Sequence, residues 1–254
     1  MSDAITMLRR NTKHTLRNPS AVLMTIGIPV FLLLLFVGVF GGALNAGLGI
    51  TAQGDEYIDY LVAGILVMTV GYGSSTTAMA VNQDMTAGII NRFRTMAISR
   101  TSVLTAHVIV STVRTLISAG LVVGVALLMG FRPTTDPIRW LGVIGLLALF
   151  TLALTWLAVA VGLVAKSAEA TTPFLLIVQL LPFVSSAFVS PESMSAPIRW
   201  FAAHEPFTPM IDVLRGLLLG TPIHNGGAAI AWGIGLTLAG YLWSRALFRR
   251  DPRN

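Results

Sequence analysis

The sequence predicts an all-α protein built inside a membrane, with six helices crossing it, and three observations carry that expectation. Of the 254 residues, 54% are hydrophobic and only 11% are charged, whereas a soluble domain carries about 25% charged residues. Uncharged runs of about twenty residues recur along the chain, which at ~1.5 Å per residue is the length needed to cross a ~30 Å hydrocarbon layer. Lys and Arg, finally, are held in short clusters beside those runs. The mean hydropathy of +0.77 agrees, and no stretch between the runs is long enough to bury a core of its own. A single membrane domain over 1–254 is expected.

The runs come in order. Residues 21–40 follow a basic segment, as in a signal peptide, but twenty uncharged residues exceed the ~7–15 of a cleavable core, so this run is expected to stay as a span. Residues 60–81, 140–165, 170–191 and 226–244 are equally plain. The run 101–131 is interrupted by His107 and Arg114, leaving 115–131 as an uncharged end that barely spans, with the first turns expected in the inner interface. Arg114 is expected to snorkel to the inner surface or to pair with Asp84 or Glu169.

Orientation follows from the basic residues, because cytoplasmic loops keep an excess of them. Of the seventeen Lys and Arg, those before the first run, those of 82–100, Lys166 and the C-terminal cluster fall on one side. Only Arg132, Arg139, Arg199 and Arg215 fall on the other. A multi-pass protein of the cell membrane with both termini in the cytoplasm is expected.

Three polar segments complete the layout. Residues 3–17 place Ile5, Leu8, Thr12 and Leu16 on one helical face and Arg9, Lys13 and Arg17 along an i, i+4 row, the pattern of a helix lying on the inner membrane surface; the alternative is a solvated basic tail. Residues 82–100 read as a short cytoplasmic helix with Asp84 near its start, a place where a carboxylate suits the positive dipole end; plain topology scaffolding serves the same composition. Residues 192–225 hold Trp200, Phe201 and Phe207. Their Ile211, Leu214 and Leu218 repeat at helical spacing, with Pro209 in the first turn and Gly220-Thr221-Pro222 as the stop, which predicts a short helix dipping partway into the membrane. Asp212 and Arg215, three apart, can pair on it.

The chemistry present excludes several classes. The net charge of +6 lies in clusters flanking apolar runs, which argues against nucleic acid. Cysteine is absent, and the four histidines show neither a paired spacing nor an acidic neighbour at ligand spacing, so no metal or cofactor is expected. The nearest approach to a phosphate-binding loop, Gly162-Leu-Val-Ala-Lys166-Ser167, has the wrong spacing and no second glycine, so the chain is not expected to bind ATP or to act as an enzyme. No run carries a carboxylate at its centre, as an ion-coupled carrier would. The energy source is therefore expected outside this chain. Within the runs, Gly71, Gly73, Ser74, Ser75, Thr76 and Thr77, with Pro173, Gln179 and Pro182, permit close packing and local weakening of the helix. Ser74, Ser75, Thr76 and Gln179 are the candidate lining of a substrate pathway, Gln179 because a deep amide needs a partner or ligand. Hydroxyls and one amide suit a hydrophobic or amphiphilic molecule better than a sugar or an ion. Phe207, Asp212 and Arg215 are the candidate residues of the outer segment.

Over nearly its whole length the chain resembles the type-2 ATP-binding-cassette exporter permeases, and more closely their daunorubicin-resistance-like efflux branch. The resemblance rests on Tyr60-Leu-Val-Ala-Gly-Ile, on Asp84-Met-Thr-Ala-Gly88 with Arg92-Phe-Arg94 and Ile98-Ser-Arg100, and on Pro206-Phe-Thr-Pro209 with Asp212-Val-Leu-Arg-Gly216. It implies an N-terminal interfacial helix, a cytoplasmic coupling helix and short re-entrant helices before the last span. It also implies a homodimer of permeases, here expected to meet along the first, second and fifth spans, carrying two copies of a separate ATPase that holds ATP and Mg. By the same resemblance Asp84, Gly88, Arg92, Arg94 and Arg100 dock on that ATPase, and the cargo is a drug, natural product or lipid. The chain departs from the family at Ala97, where proline is common, so the end of the coupling helix is less firmly set. A non-transporting membrane scaffold, a channel or a secondary carrier are the alternatives, and a requirement for an ATPase separates them.

Overall fold

The computed structural model describes residues 23–39, 41, 56–86, 100–223 and 225–249. Among the described residues all regular structure is helical: α1 (Ile28–Gly38), α2 (Glu56–Thr86), α3 (Arg100–Leu128), α4 (Pro137–Val164), α5 (Thr172–Leu180), α6 (Ala196–His204), α7 (Phe207–Leu219) and α8 (Gly226–Arg249). The surface helix expected over 3–17 lies outside the described residues, as do Gly88, Arg92 and Arg94; Arg100 opens α3.

Four helices, α2, α3, α4 and α8, are long and apolar enough to cross a membrane. This is a multi-pass membrane protein. The run at 170–191 is not one helix. Pro182 lacks the amide that would continue the hydrogen-bond ladder and crowds the carbonyl four residues back, so α5 stops at Leu180 and gives way to a 3₁₀ turn, Leu181–Val184, and extended backbone at Ser185. Nine residues of α-helix rise only roughly 14 Å.

α2 is the centre of the bundle. Every residue from Leu61 to Gly71 is buried, as a helix apolar on all sides requires. It is packed by α1, α3, α4, α5 and α7. α1, by contrast, exposes Phe31 and Leu34, and α5 exposes Leu176, Ile177 and Leu180. α3 turns Ile109, Val113, Ile117 and Leu121 outward at four-residue spacing, and α8 does the same with Ile230, Ile234, Leu238 and Leu242. Such stripes suit lipid. α8 lies along α4, and α4 along α2.

The outer segment is folded into the bundle. α7 begins at Phe207, with Pro209 in its first turn as expected, and ends where Gly220 takes the left-handed conformation (φ +74°), as the Gly-Thr-Pro stop predicts. Its Phe207, Met210, Ile211, Leu214 and Leu218 join the main core, with Phe207 edge-on to Phe150 of α4 at 5.1 Å. α6, by contrast, exposes Ile198, Trp200 and Phe201.

Candidate functional site

Polar side chains inside this apolar bundle gather along α2 at three depths, and each group ties α2 to a different neighbour. At the N-terminal end of α2, Arg215 of α7 is the hub. Its Nη1 lies 3.2 Å from Asp212 Oδ1, the pair foreseen from spacing. Its other contacts are long-range: Nη2 donates to Ser186 O at 2.7 Å, Nε donates to Tyr60 O at 3.3 Å, and the guanidinium stands 3.7 Å over the Tyr60 ring. Ser186 closes the circuit, its hydroxyl donating to Asp212 Oδ1 at 2.8 Å while its amide donates to Thr208 Oγ1. One arginine thus joins α7, the stretch after α5 and the start of α2.

Glu205 prepares this end. Its two carboxylate oxygens accept the amides of Phe207 and Thr208, each at 2.6 Å, and so cap the free N–H groups of the first turn of α7. Burial nonetheless pushes the carboxyl up to about 7 from 4.5, outweighing those amides. Because the folded state holds the proton more tightly, the stabilisation is complete below about pH 4.5 and is lost as pH rises through about 7. Glu205→Gln, neutral throughout, should flatten the melting temperature of the purified protein between those limits. An unchanged pH slope would show that Glu205 does not set it.

In the middle, α2 and α3 meet across a polar seam. Gly73 allows the approach, since a Cβ there would stand 2.2 Å from Thr115 Oγ1. Arg114 Nη2 donates to Gly73 O at 2.9 Å and also to Thr76 Oγ1. Thr77 and Ser111 share a 2.6 Å hydrogen bond. The expectation that Arg114 pairs with Asp84 or Glu169 is corrected here: Asp84 stands against His107. α3 is continuous from Arg100, which puts Arg114 roughly 21 Å along that helix. Its partners are the dipoles of α2.

Toward the C-terminal end of α2, His107 Nε2 lies 3.2 Å from Asp84 Oδ2. Asn82 Nδ2 donates to Ala165 O at 2.6 Å, taking up a carbonyl left free at the end of α4. Asp84 does not open a separate helix as expected: α2 runs on to Thr86, so it lies within that helix and faces α3.

The expected pathway residues are placed apart. Ser74 and Ser75 are buried and donate back to Gly71 O at 2.8 and 2.9 Å, so within one protomer their hydroxyls are turned onto their own helix. Thr76 is half-buried beside Arg114. Gln179 is half-buried on α5, and its amide has no hydrogen-bond partner among the described residues. Reading the sequence missed Tyr60, Ser186, Thr208 and Glu205. Glu205 alone carried a local signal, an acid placed just before a Pro-Phe-Thr-Pro helix start.

What these groups can do is hold helices together and let them part. The sequence profile of the ABC-2 type transporter family matches residues 3–219. This chain belongs to that family. It is 27% identical over 221 residues to a daunorubicin resistance ABC transporter permease protein of Streptomyces coeruleorubidus, covering 87% of this chain and 74% of that protein. It is 25% identical over 212 residues to a putative transport permease of Pyropia yezoensis, covering 83% and 70%. A probable doxorubicin resistance ABC transporter permease protein of Mycobacterium tuberculosis is 24% identical over 151 residues, covering 59% and 55%.

Proposed function

We propose that the chain is the membrane-spanning subunit of an exporter driven by ATP hydrolysed on a separate ATPase, moving an amphiphilic drug, natural product or lipid out of the cell. Membership of the ABC-2 type family supports this, as do the resistance permeases among its relatives. The observation that carries the mechanism is the central helix tied at three depths. Motion delivered at the Asp84–His107 end reaches Arg215 at the outer end along one continuous helix, because a long helix transmits displacement along its axis while short polar links exchange partners.

In this reading six segments span, α1 and the short helices of 169–184 included, both termini are cytoplasmic, and two copies associate. Asp84, Gly88, Arg92, Arg94 and Arg100 face the ATPase, and Ser74, Ser75, Thr76 and Gln179 line the route once α2 and its neighbours separate. α6 and α7 form the outer re-entrant segment. ATP and Mg belong to the partner.

The test is to co-express the chain with an ABC ATPase encoded beside it, co-purify the two, and follow ATP-dependent efflux of a fluorescent anthracycline. Arg92→Glu/Arg94→Glu should leave membrane yield intact and reduce ATPase co-purification and efflux together by about tenfold, since interfacial charges govern docking. A parent protein that binds no ATPase, or that moves cargo without ATP, would point instead to a scaffold or to a channel or secondary carrier.

A further inference from the structure

Arg114 is a charged group placed mid-way along a membrane helix with only dipoles for company. Its guanidinium has five N–H donors, and the bonds it makes, to Gly73 O and Thr76 Oγ1, both use Nη2. Its buried Nε has no partner among the described residues. None of the ion pairs His107–Asp84, Arg139–Asp136 and Arg215–Asp212 involves Arg114. A cation at this depth is costly without a counter-charge, and a planar guanidinium with free donors matches a carboxylate or phosphate. Arg114 is itself half-buried rather than enclosed, and it borders an exposed apolar stripe of the same helix, Ile109, Val113 (53% exposed) and Ile117 (61% exposed).

We propose that Arg114 is a mid-membrane anion site, which takes the carboxylate or phosphate of an amphiphile whose apolar chain lies along Ile109, Val113 and Ile117. The site itself needs only the structure; that its occupant is cargo rests on the export reading above. A resident acidic lipid would offer the same headgroup chemistry.

Oleate and oleyl alcohol, which differ at the acid group, make the test. Native mass spectrometry of the purified permease in neutral detergent should show oleate binding about tenfold tighter than the alcohol, the scale of a charge-assisted pair. Arg114→Gln should remove that preference and leave alcohol binding unchanged, while Arg114→Lys should retain part of it. Equal binding of the two probes by the parent, or a preference that survives Arg114→Gln, would overturn the proposal. Should Arg114→Gln not accumulate, photocrosslinking of the parent with a diazirine-bearing oleate decides, with adducts expected on the peptide holding Ile109 to Ile117; adducts only elsewhere would refute the site. In the complex with the ATPase, loss of bound oleate on ATP turnover marks the anion as cargo, and retention that phosphatidylglycerol competes away marks a resident lipid. If no amphiphile moves with ATP while the oleate preference persists, the export reading fails and the anion site stands.

Discussion

Replacing Arg215 with alanine is expected to be the most damaging single change at the N-terminal end of α2, and more damaging than replacing its acidic partner. Removing Arg215 strips Asp212 of its counter-charge and takes a donor from the carbonyls of Ser186 and Tyr60. Asp212→Ala, in contrast, leaves the guanidinium with both carbonyls and the Tyr60 ring. The two side chains are 17% and 27% exposed, so the loss belongs somewhat below that of a fully buried pair, at about 2–3 kcal/mol for Arg215→Ala and about 1 kcal/mol for Asp212→Ala. The double mutant should lose less than the sum, because the two changes remove one shared interaction. Thermal unfolding of the detergent-purified protein measures the stabilities, and efflux at matched expression measures the consequence for transport. If Asp212→Ala proves the worse of the two, the hub is the carboxylate and that end of α2 has been read the wrong way round.

Gly162→Leu should be at least as severe, for a reason of space. A Cβ at this position of α4 would stand 2.7 Å from Ala78 O and 2.9 Å from Val81 Cβ. A backbone oxygen cannot rotate away as a side chain can, so α2 and α4 must separate, at a cost of about 3 kcal/mol or more. The same separation would pull Asn82 from Ala165 O, a 2.6 Å bond. Gly145 on the same helix has open space around its added Cβ, and Gly145→Ala should be neutral or stabilising by up to about 1 kcal/mol. Equal yields and melting temperatures for Gly162→Leu and Gly145→Ala would show that the α2–α4 contact has room to spare.

Parts of this site were readable in advance. The Asp212–Arg215 pair follows from a three-residue spacing on one helix, and the end of α7 from a glycine that alone takes φ +74° without strain. Arg114 was visible as a charge inside an apolar run, but its partner on α2 was not, because the bond to Gly73 O joins residues 41 apart in sequence. The continuous α3 and the His107–Asp84 contact show that His107 and Arg114 are both accommodated inside that helix. The run at 170–191 was counted by hydropathy, which cannot register that a proline at 182 divides it.

The sequence by itself determined the solvent and the all-helical class, because hydrocarbon imposes a rule that each segment must satisfy alone: enough apolar length and an internally bonded backbone. It also supplied the family resemblance that the profile match bears out. Only the tertiary structure decided that α2 is the enclosed centre, that Arg215 reaches Tyr60 and Ser186, and that Arg114 meets the carbonyl of Gly73. Those facts depend on the rotation and axial register of each helix against its neighbours, set by the sum of close contacts between residues far apart in sequence. A segment that is apolar on every face carries no local record of which face its neighbours will cover.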